Sequence, residues 1–375
     1  MKSRVWIALA LALMLVLAAC GDSTTDTTEE PTATPTTEAP EPTPTTAAPE
    51  PDPTTTTTEA MVTVGSADNP IQVLFVPSVS TATITSGGEV MADALKEATG
   101  LEYEVVVPTS YAATIESMCA APERSMGFIP GLGYVLANEL CDVDVSFAAV
   151  RFGWDVYWAQ IVVPRDSDVE TLADLDGATW AYPDAGSTSG YLAILPMLEA
   201  AGVTPGETVE AGGHTGSIRA VYQGDADFSS SFFSPPLLPE GRWDTSMAPD
   251  IPDDLVPDCA VNDENRLFCG DYRVLDARAN LREEAPDVIQ KLRILEISPA
   301  IPNDTLSFGP DFPAELRAEI EAALVAFAET DAWAESIGNS DFYDWTGLAP
   351  TNDANYDVVR AMVEAAGITL ENIGE

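Results

Sequence analysis

Short apolar strands alternate with helices from residue 70 onward, and this alternation is the strongest constraint on the fold. Residues 71–76, 103–107 and 126–129 are short apolar runs, which predicts strands. A helical pattern follows each of them, over residues 88–99, 111–118 and 134–139. This repeated strand, helix, strand order predicts a mainly parallel sheet with helices on both faces.

A second unit of the same kind is expected after the long apolar segment 156–163. Its predicted order is strand 179–182, helix 192–201, strand 208–211 and helix 218–223. Residues 235–270 are rich in proline and predict a surface insertion. Helices are expected again at 313–330 and 356–366. The length from residue 70 to 375 suits two α/β units.

Polar turns precede two of these helices. Ser187, Thr188 and Ser189 form one hydroxyl-rich turn, and His214, the only histidine, lies in a glycine-rich turn before the other. Free N–H groups and the helix dipole favour an oxyanion at such a start. Taken alone, the first turn is an ordinary N-cap, and a lone histidine is more often structural. Both turns follow parallel strands, so we expect them to face one crevice.

The first twenty residues predict export. Lys2 and Arg4 precede an apolar run over 5–19 that is too short for a comfortable membrane span of about 20 residues. Small residues before Cys20 are similar to the bacterial lipobox, so we expect Cys20 to carry lipid; the alternative is a plain signal peptide with a chance cysteine. Residues 21–69 predict a disordered Thr/Pro-rich tether. The protein should therefore be extracytoplasmic and anchored to the cell membrane.

Net charge excludes some partners. The chain carries a formal charge of -45, most of it in the folded part, which argues against nucleic acid and anionic lipid surfaces. A small anion remains possible as a ligand, because fields are screened beyond about 8 to 10 Å and local donors decide what binds in a cleft.

Four cysteines remain once Cys20 is assigned to lipid. They are an even number in an exported chain, and proximity in sequence favours the disulfides Cys119–Cys141 and Cys259–Cys269. A zinc site is the rival, but no CxxC or histidine accompanies these cysteines. Since metal and nucleotide motifs are also missing from the sequence, no cofactor is expected.

Nine short motifs occur in an order that resembles the periplasmic phosphonate, phosphite and phosphate binding proteins of ABC importers. They are Val76-Pro77-Ser78, Ala98-Thr99-Gly100, Tyr111-Ala112-Ala113, Tyr134-Val135-Leu136-Ala137, Asp174-Leu175-Asp176-Gly177, the run from Ser187 to Tyr191, Gly213-His214 with Ile218 to Val221, Gly224 to Asp227, and Ile301 to Asp304. The resemblance implies a bilobed α/β periplasmic-binding-protein fold of type II, with two parallel-dominated lobes.

The same resemblance implies two crossing strands near residues 160–163 and 292–298. Residues 70–160 with 298–375 would form lobe 1, and residues 161–297, with the insertion at 235–270, would form lobe 2.

The resemblance also implies a set of ligand-binding residues. Ser187, Thr188, Ser189 and His214 would hold the oxyanion, with Tyr111 and Tyr157 from the other lobe, and the set is completed by Ser78, Tyr134 and Asp227.

Departures from the family pattern bear on the ligand. Members that bind amino-phosphonates place acids where this chain has none, at 229–234 and 297–299. A compact oxyanion, or one with an apolar tail against Trp154, Trp158 or Phe233, is therefore expected.

The predicted function is a lipid-anchored, monomeric solute-binding protein that delivers a phosphorus oxyanion to an ABC permease, and not an enzyme. One alternative is an exported hydrolase with Ser187 or Ser189 as nucleophile and His214 as base, although no Gly-x-Ser-x-Gly elbow is present. A second alternative is an anion sensor that does not transport its ligand.

Overall fold

The computed structural model describes residues 63 to 372. In chain order the strands are β1 (Ile71–Phe75), β2 (Tyr103–Val106), β3 (Ser125–Ile129), β4 (Asp144–Val150), β5 (Val156–Pro164), β6 (Thr179–Tyr182), β7 (Glu207–Glu210), β8 (Phe228–Phe233), β9 (Cys259–Val261), β10 (Leu267–Cys269), β11 (Tyr272–Arg273), β12 (Leu292–Ile297), β13 (Ile301–Pro302), β14 (Thr305–Phe308) and β15 (Gly347–Pro350). The α-helices are α1 (Thr81–Thr99), α2 (Tyr111–Ala120), α3 (Gly131–Cys141), α4 (Leu195–Ala200), α5 (His214–Gln223), α6 (Val288–Lys291), α7 (Ala314–Phe327) and α8 (Asp357–Ala366).

Two larger sheets organise the molecule, and each sheet with the helices packed on it forms a unit, called the first and the second unit below. The first has the order β15-β4-β14-β3-β1-β2 and the second β12-β5-β8-β6-β7, with β13 also paired to β5. The strands linked by helices pair in parallel, as β1 does with β2 and β3, and β6 with β7 and β8. The other pairs are antiparallel, so each sheet is more mixed than predicted.

The chain passes between the two sheets at residues 151–155 and returns at 303–304. The segments 160–163 and 292–298, which were expected to cross, pair with each other inside the second sheet, with Gln160 opposite Ile297 and Val163 opposite Arg293. The proline-rich insertion contains a small sheet of order β11-β10-β9.

Helix α1 begins seven residues earlier than the expected start at residue 88. Ser80 caps it by accepting a hydrogen bond from the Thr83 N–H at 3.2 Å. Gly87 and Gly88 lie inside the helix, where a Cβ on Gly87 would approach the Phe342 ring to 2.6 Å. The glycines permit close packing there, although they resemble a helix boundary in the sequence.

The folded part also begins before the predicted end of the tether. The Gly65 carbonyl accepts a hydrogen bond from the Glu102 N–H at 2.8 Å, so residues 63–69 are part of the first unit. Residues 1–62, with Cys20 and the predicted signal peptide, lie outside the described residues. Within residues 63 to 372, no helix is both long and apolar enough to cross a bilayer.

Both predicted disulfides are present. Cys119 in α2 is bonded to Cys141 in α3, and Cys259 is bonded to Cys269, directly opposite it in the small sheet. The first disulfide ties two neighbouring helices of the first unit, and the second closes the hairpin of the insertion.

Candidate functional site

A cavity lies between the two sheets, and several predicted residues line it. Its volume is about 70 Å³. A compact ligand fits this space. The predicted residues that line the cavity are Ser78, Tyr111, Tyr157, Ser187, Ser189 and His214.

The hydroxyl-rich turn is held in a fixed shape. Residues Thr188–Leu192 form a π-helical turn, and Ser187 caps it by accepting a hydrogen bond from the Gly190 N–H at 3.0 Å. Thr188 does not line the cavity; its hydroxyl oxygen accepts from the Leu132 N–H at 2.8 Å, across to α3. A Cβ on Gly190 would lie 2.1 Å from the Pro183 ring, so glycine is required there.

Asp184 fixes this turn against the first unit. Its carboxylate accepts from the Gly186 N–H at 2.7 Å and from the Tyr111 N–H, at the start of α2, at 3.3 Å. Burial raises the pKa of Asp184, and these two hydrogen bonds oppose the rise. The contact joins the turn to the start of α2, and Ser187, Ser189 and Tyr111 all line the cavity.

His214 begins α5, four residues before the predicted helix start. Its backbone N–H donates to the Ser78 carbonyl at 3.1 Å, and its ring packs edge-on against Phe232. Burial, with a smaller contribution from the charge on Arg151, lowers the pKa of His214 to about 3. The ring is therefore neutral and can offer one N–H donor. Its buried Nδ1 has no hydrogen-bond partner within the described residues.

Tyr111 and Tyr157 supply hydroxyl donors from the first sheet's side and from β5. Both are buried, and burial raises the pKa of each phenol, as do nearby carboxylates such as Asp304. The two hydroxyls therefore stay protonated at neutral pH and can donate to an oxyanion.

The structure adds charged residues that the sequence did not reveal. Arg151, which follows β4, donates from Nη2 to Asp304 Oδ2 at 2.6 Å and from Nη1 to Asn303 Oδ1 at 3.0 Å. Asp304 and Asp344 also line the cavity. The stretches 229–234 and 297–299 carry no carboxylate, and the acids of the cavity come instead from segments distant in sequence. The Ile301 to Asp304 motif was the one available signal, and nothing local marked Asp344.

Two further predicted ligand residues, like Thr188, lie outside the cavity. The Tyr134 hydroxyl donates to Asp353 Oδ1 at 2.7 Å, and its ring packs on Tyr356. The exposed Asp227 accepts from the Thr179 N–H at 2.8 Å, joining two strands of the second sheet. Each side chain is engaged in structure on its own side of the fold, which corrects its assignment to the cavity lining.

The aromatic residues expected against an apolar ligand tail lie elsewhere. Trp154, Trp158 and Phe233 pack around Trp243 in a separate cluster, and none of them lines the cavity. Phe232, the neighbour of Phe233 on β8, lines it instead, because successive side chains of a strand point to opposite faces.

Neither a metal site nor a catalytic pair is found in the described part of the chain. No group of three or more His, Cys, Asp or Glu residues there could hold a metal ion. No hydrogen bond within residues 63 to 372 joins His214 to Ser187 or Ser189, as a serine hydrolase would require.

Comparison with known proteins gives consistent results. A family model described as "ABC transporter, phosphonate, periplasmic substrate-binding protein" matches residues 73–356. The phosphate-import protein PhnD of Mycolicibacterium smegmatis is 23% identical over 314 residues, which cover 79% of this chain and 86% of that protein.

Two solved structures have a similar fold. A binding protein component of an ABC phosphonate transporter from Pseudomonas aeruginosa matches with a TM-score of 0.60 and 16% identity, covering 78% of this chain and 85% of the other. PhnD1 of Prochlorococcus marinus, in complex with methylphosphonate, matches with a TM-score of 0.59 and 13% identity, covering 79% and 98%.

Proposed function

The chain belongs to the family of periplasmic phosphonate-binding proteins of ABC transporters, and on that basis we propose that it is a lipid-anchored receptor for a compact phosphorus oxyanion. The members of this family are substrate-binding components of transporters and not enzymes. The ligand would be phosphite, a small phosphonate or phosphate, which the protein delivers to an ABC permease.

The cavity between the sheets carries this proposal. Neutral donors converge on it from both sides: Ser187, Ser189 and His214 from the second unit, and Tyr111 from the first. Hydroxyl and imidazole N–H groups suit the several oxygens of a phosphoryl group. The small volume favours a compact ligand and leaves little room for a long tail.

The anchor and the lobes belong to the same proposal. Cleavage after residue 19 would leave Cys20 as the lipid-carrying first residue, with the tether after it. The two units built on the larger sheets would act as lobes that close on the ligand, in a monomeric receptor. Closure around a neutral donor set is compatible with a strongly acidic chain, because local hydrogen bonds decide binding in a cleft.

Calorimetric titration of the purified chain with phosphite, methylphosphonate and phosphate tests the ligand class. Ser189→Ala should weaken the affinity about ten- to hundred-fold, the value of a hydrogen bond to a charged group. The exposed Ser246→Ala is the matched control and should bind as the unaltered protein does. Absence of binding by all three anions would reject the phosphorus ligand and leave the fold assignment intact.

A further inference from the structure

Asp344 lines the cavity without a hydrogen-bond partner for its carboxylate among residues 63 to 372. Its backbone is fixed, since its N–H donates to the Asn339 carbonyl at 3.1 Å and the next N–H donates to the Ile337 carbonyl at 3.0 Å. Its φ of 54° lies in the left-handed region, which aspartate and asparagine tolerate better than most residues. The backbone of Asp344 is therefore held in place at the cavity wall.

The other charged residues that line the cavity, Arg151 and Asp304, form an ion pair with each other. Arg151 also donates to the Tyr343 carbonyl at 3.0 Å. Arg273 attracts the charge of Asp344 without hydrogen-bonding to it. Buried polar groups are nearly always hydrogen-bonded. The half-buried Asp344 carboxylate has no hydrogen-bond partner within residues 63 to 372, so it can accept a hydrogen bond from a ligand in the cavity.

We propose that Asp344 determines specificity by accepting a hydrogen bond from the bound ligand. This inference rests on the proposed phosphorus-oxyanion function. A fully ionised oxyanion such as sulfate presents only acceptors and would repel the carboxylate, whereas a protonated phosphoryl group or an ammonium substituent would donate to it. The cavity therefore selects phosphorus oxyanions that carry a hydrogen-bond donor.

Asp344→Asn is the central variant, because asparagine has the same size and accepts the same backbone angle. Calorimetry at pH 7, where Asp344 is mostly ionised, with methylphosphonate, 2-aminoethylphosphonate and sulfate should show the affinity for the donor-bearing ligand falling about ten- to hundred-fold, and the preference over sulfate falling with it. Equal loss for both phosphonates identifies P–OH as the donor; loss confined to the aminophosphonate identifies the ammonium group.

The exposed Asp155→Asn is the matched control and should leave every affinity unchanged. Asp344→Gly accepts the same φ and should reproduce the loss, which guards against a folding defect in the first variant. If phosphonates bind the unaltered protein but both Asp344 variants keep the full preference over sulfate, the assignment of Asp344 is wrong. If no phosphorus oxyanion binds the unaltered protein, the proposed function itself has failed.

Discussion

Replacing Asp344 by asparagine should stabilise the ligand-free protein at neutral pH. Burial raises the pKa of Asp344 from 3.8 to about 6, and Arg273 and Arg151 oppose the rise only in part. The folded protein therefore binds a proton more tightly than the unfolded chain does. The stability contributed by the protonated group is complete below pH 4 and is lost as the pH rises to about 6.

The size of the effect follows from the two pKa values. A shift of about two units at roughly 1.4 kcal/mol per unit gives up to about 3 kcal/mol above pH 6. Asparagine resembles the protonated acid and carries no charge, so it should recover most of that free energy. The variant would gain stability while losing ligand selectivity, as expected where a binding site is built at the expense of stability.

Urea denaturation of the ligand-free protein at pH 4, 6 and 8 measures this effect. The difference in the free energy of unfolding between the variant and the unaltered protein should be near zero at pH 4 and largest at pH 8. The exposed Asp155→Asn should show no such trend. A variant that is equally or less stable than the unaltered protein at pH 8 would refute the burial argument.

Three further outcomes follow from the site. Because the pKa of His214 is about 3, the free energy of unfolding of the protein falls as the pH drops below 6.5. His214→Gln should remove about 2 kcal/mol of that loss between pH 8 and pH 5 in denaturation profiles. Asp341→Asn breaks the ion pair with Arg282, which joins segments packed on different sheets, and should weaken ligand affinity about two- to five-fold by calorimetry, whereas Glu284→Gln, within one unit, should not. Gly190→Ala should abolish ligand binding, because its Cβ would lie 2.1 Å from a proline ring carbon, and thermal unfolding should show a lower Tm.

The fold and the uncharged polar residues that line the cavity could be predicted from the sequence. The bilobed α/β class is confirmed by the similarity to solved binding proteins, and most strand positions follow from local patterns of apolar residues. The hydroxyl turn and His214 were recognisable because each lies at a helix start, a local feature that short motifs record. Thr188 alone among these donors contacts α3 instead of lining the cavity.

The charged residues Arg151 and Asp344 of the cavity could not be predicted from the sequence. Asp344 and Arg151 both lie outside regular elements, and their positions depend on where the chain passes between the sheets. Neither sits in a sequence pattern that indicates burial or a ligand. The residues at 229–234 and 297–299 could not reveal them, because Arg151 and Asp344 reach the cavity from other parts of the chain.

The charges of the cavity decide how such an acidic protein can bind an anion. Arg151 and Asp304 neutralise each other, His214 is uncharged, and Asp344 adds negative charge wherever it is ionised. The cavity therefore offers no net positive charge, and attraction must come from oriented hydroxyl and N–H donors at short range. On the proposed role of Asp344, a wall that already holds a carboxylate favours an anion that brings a proton of its own, which would separate phosphorus oxyanions from sulfate by hydrogen-bonding pattern and not by charge alone.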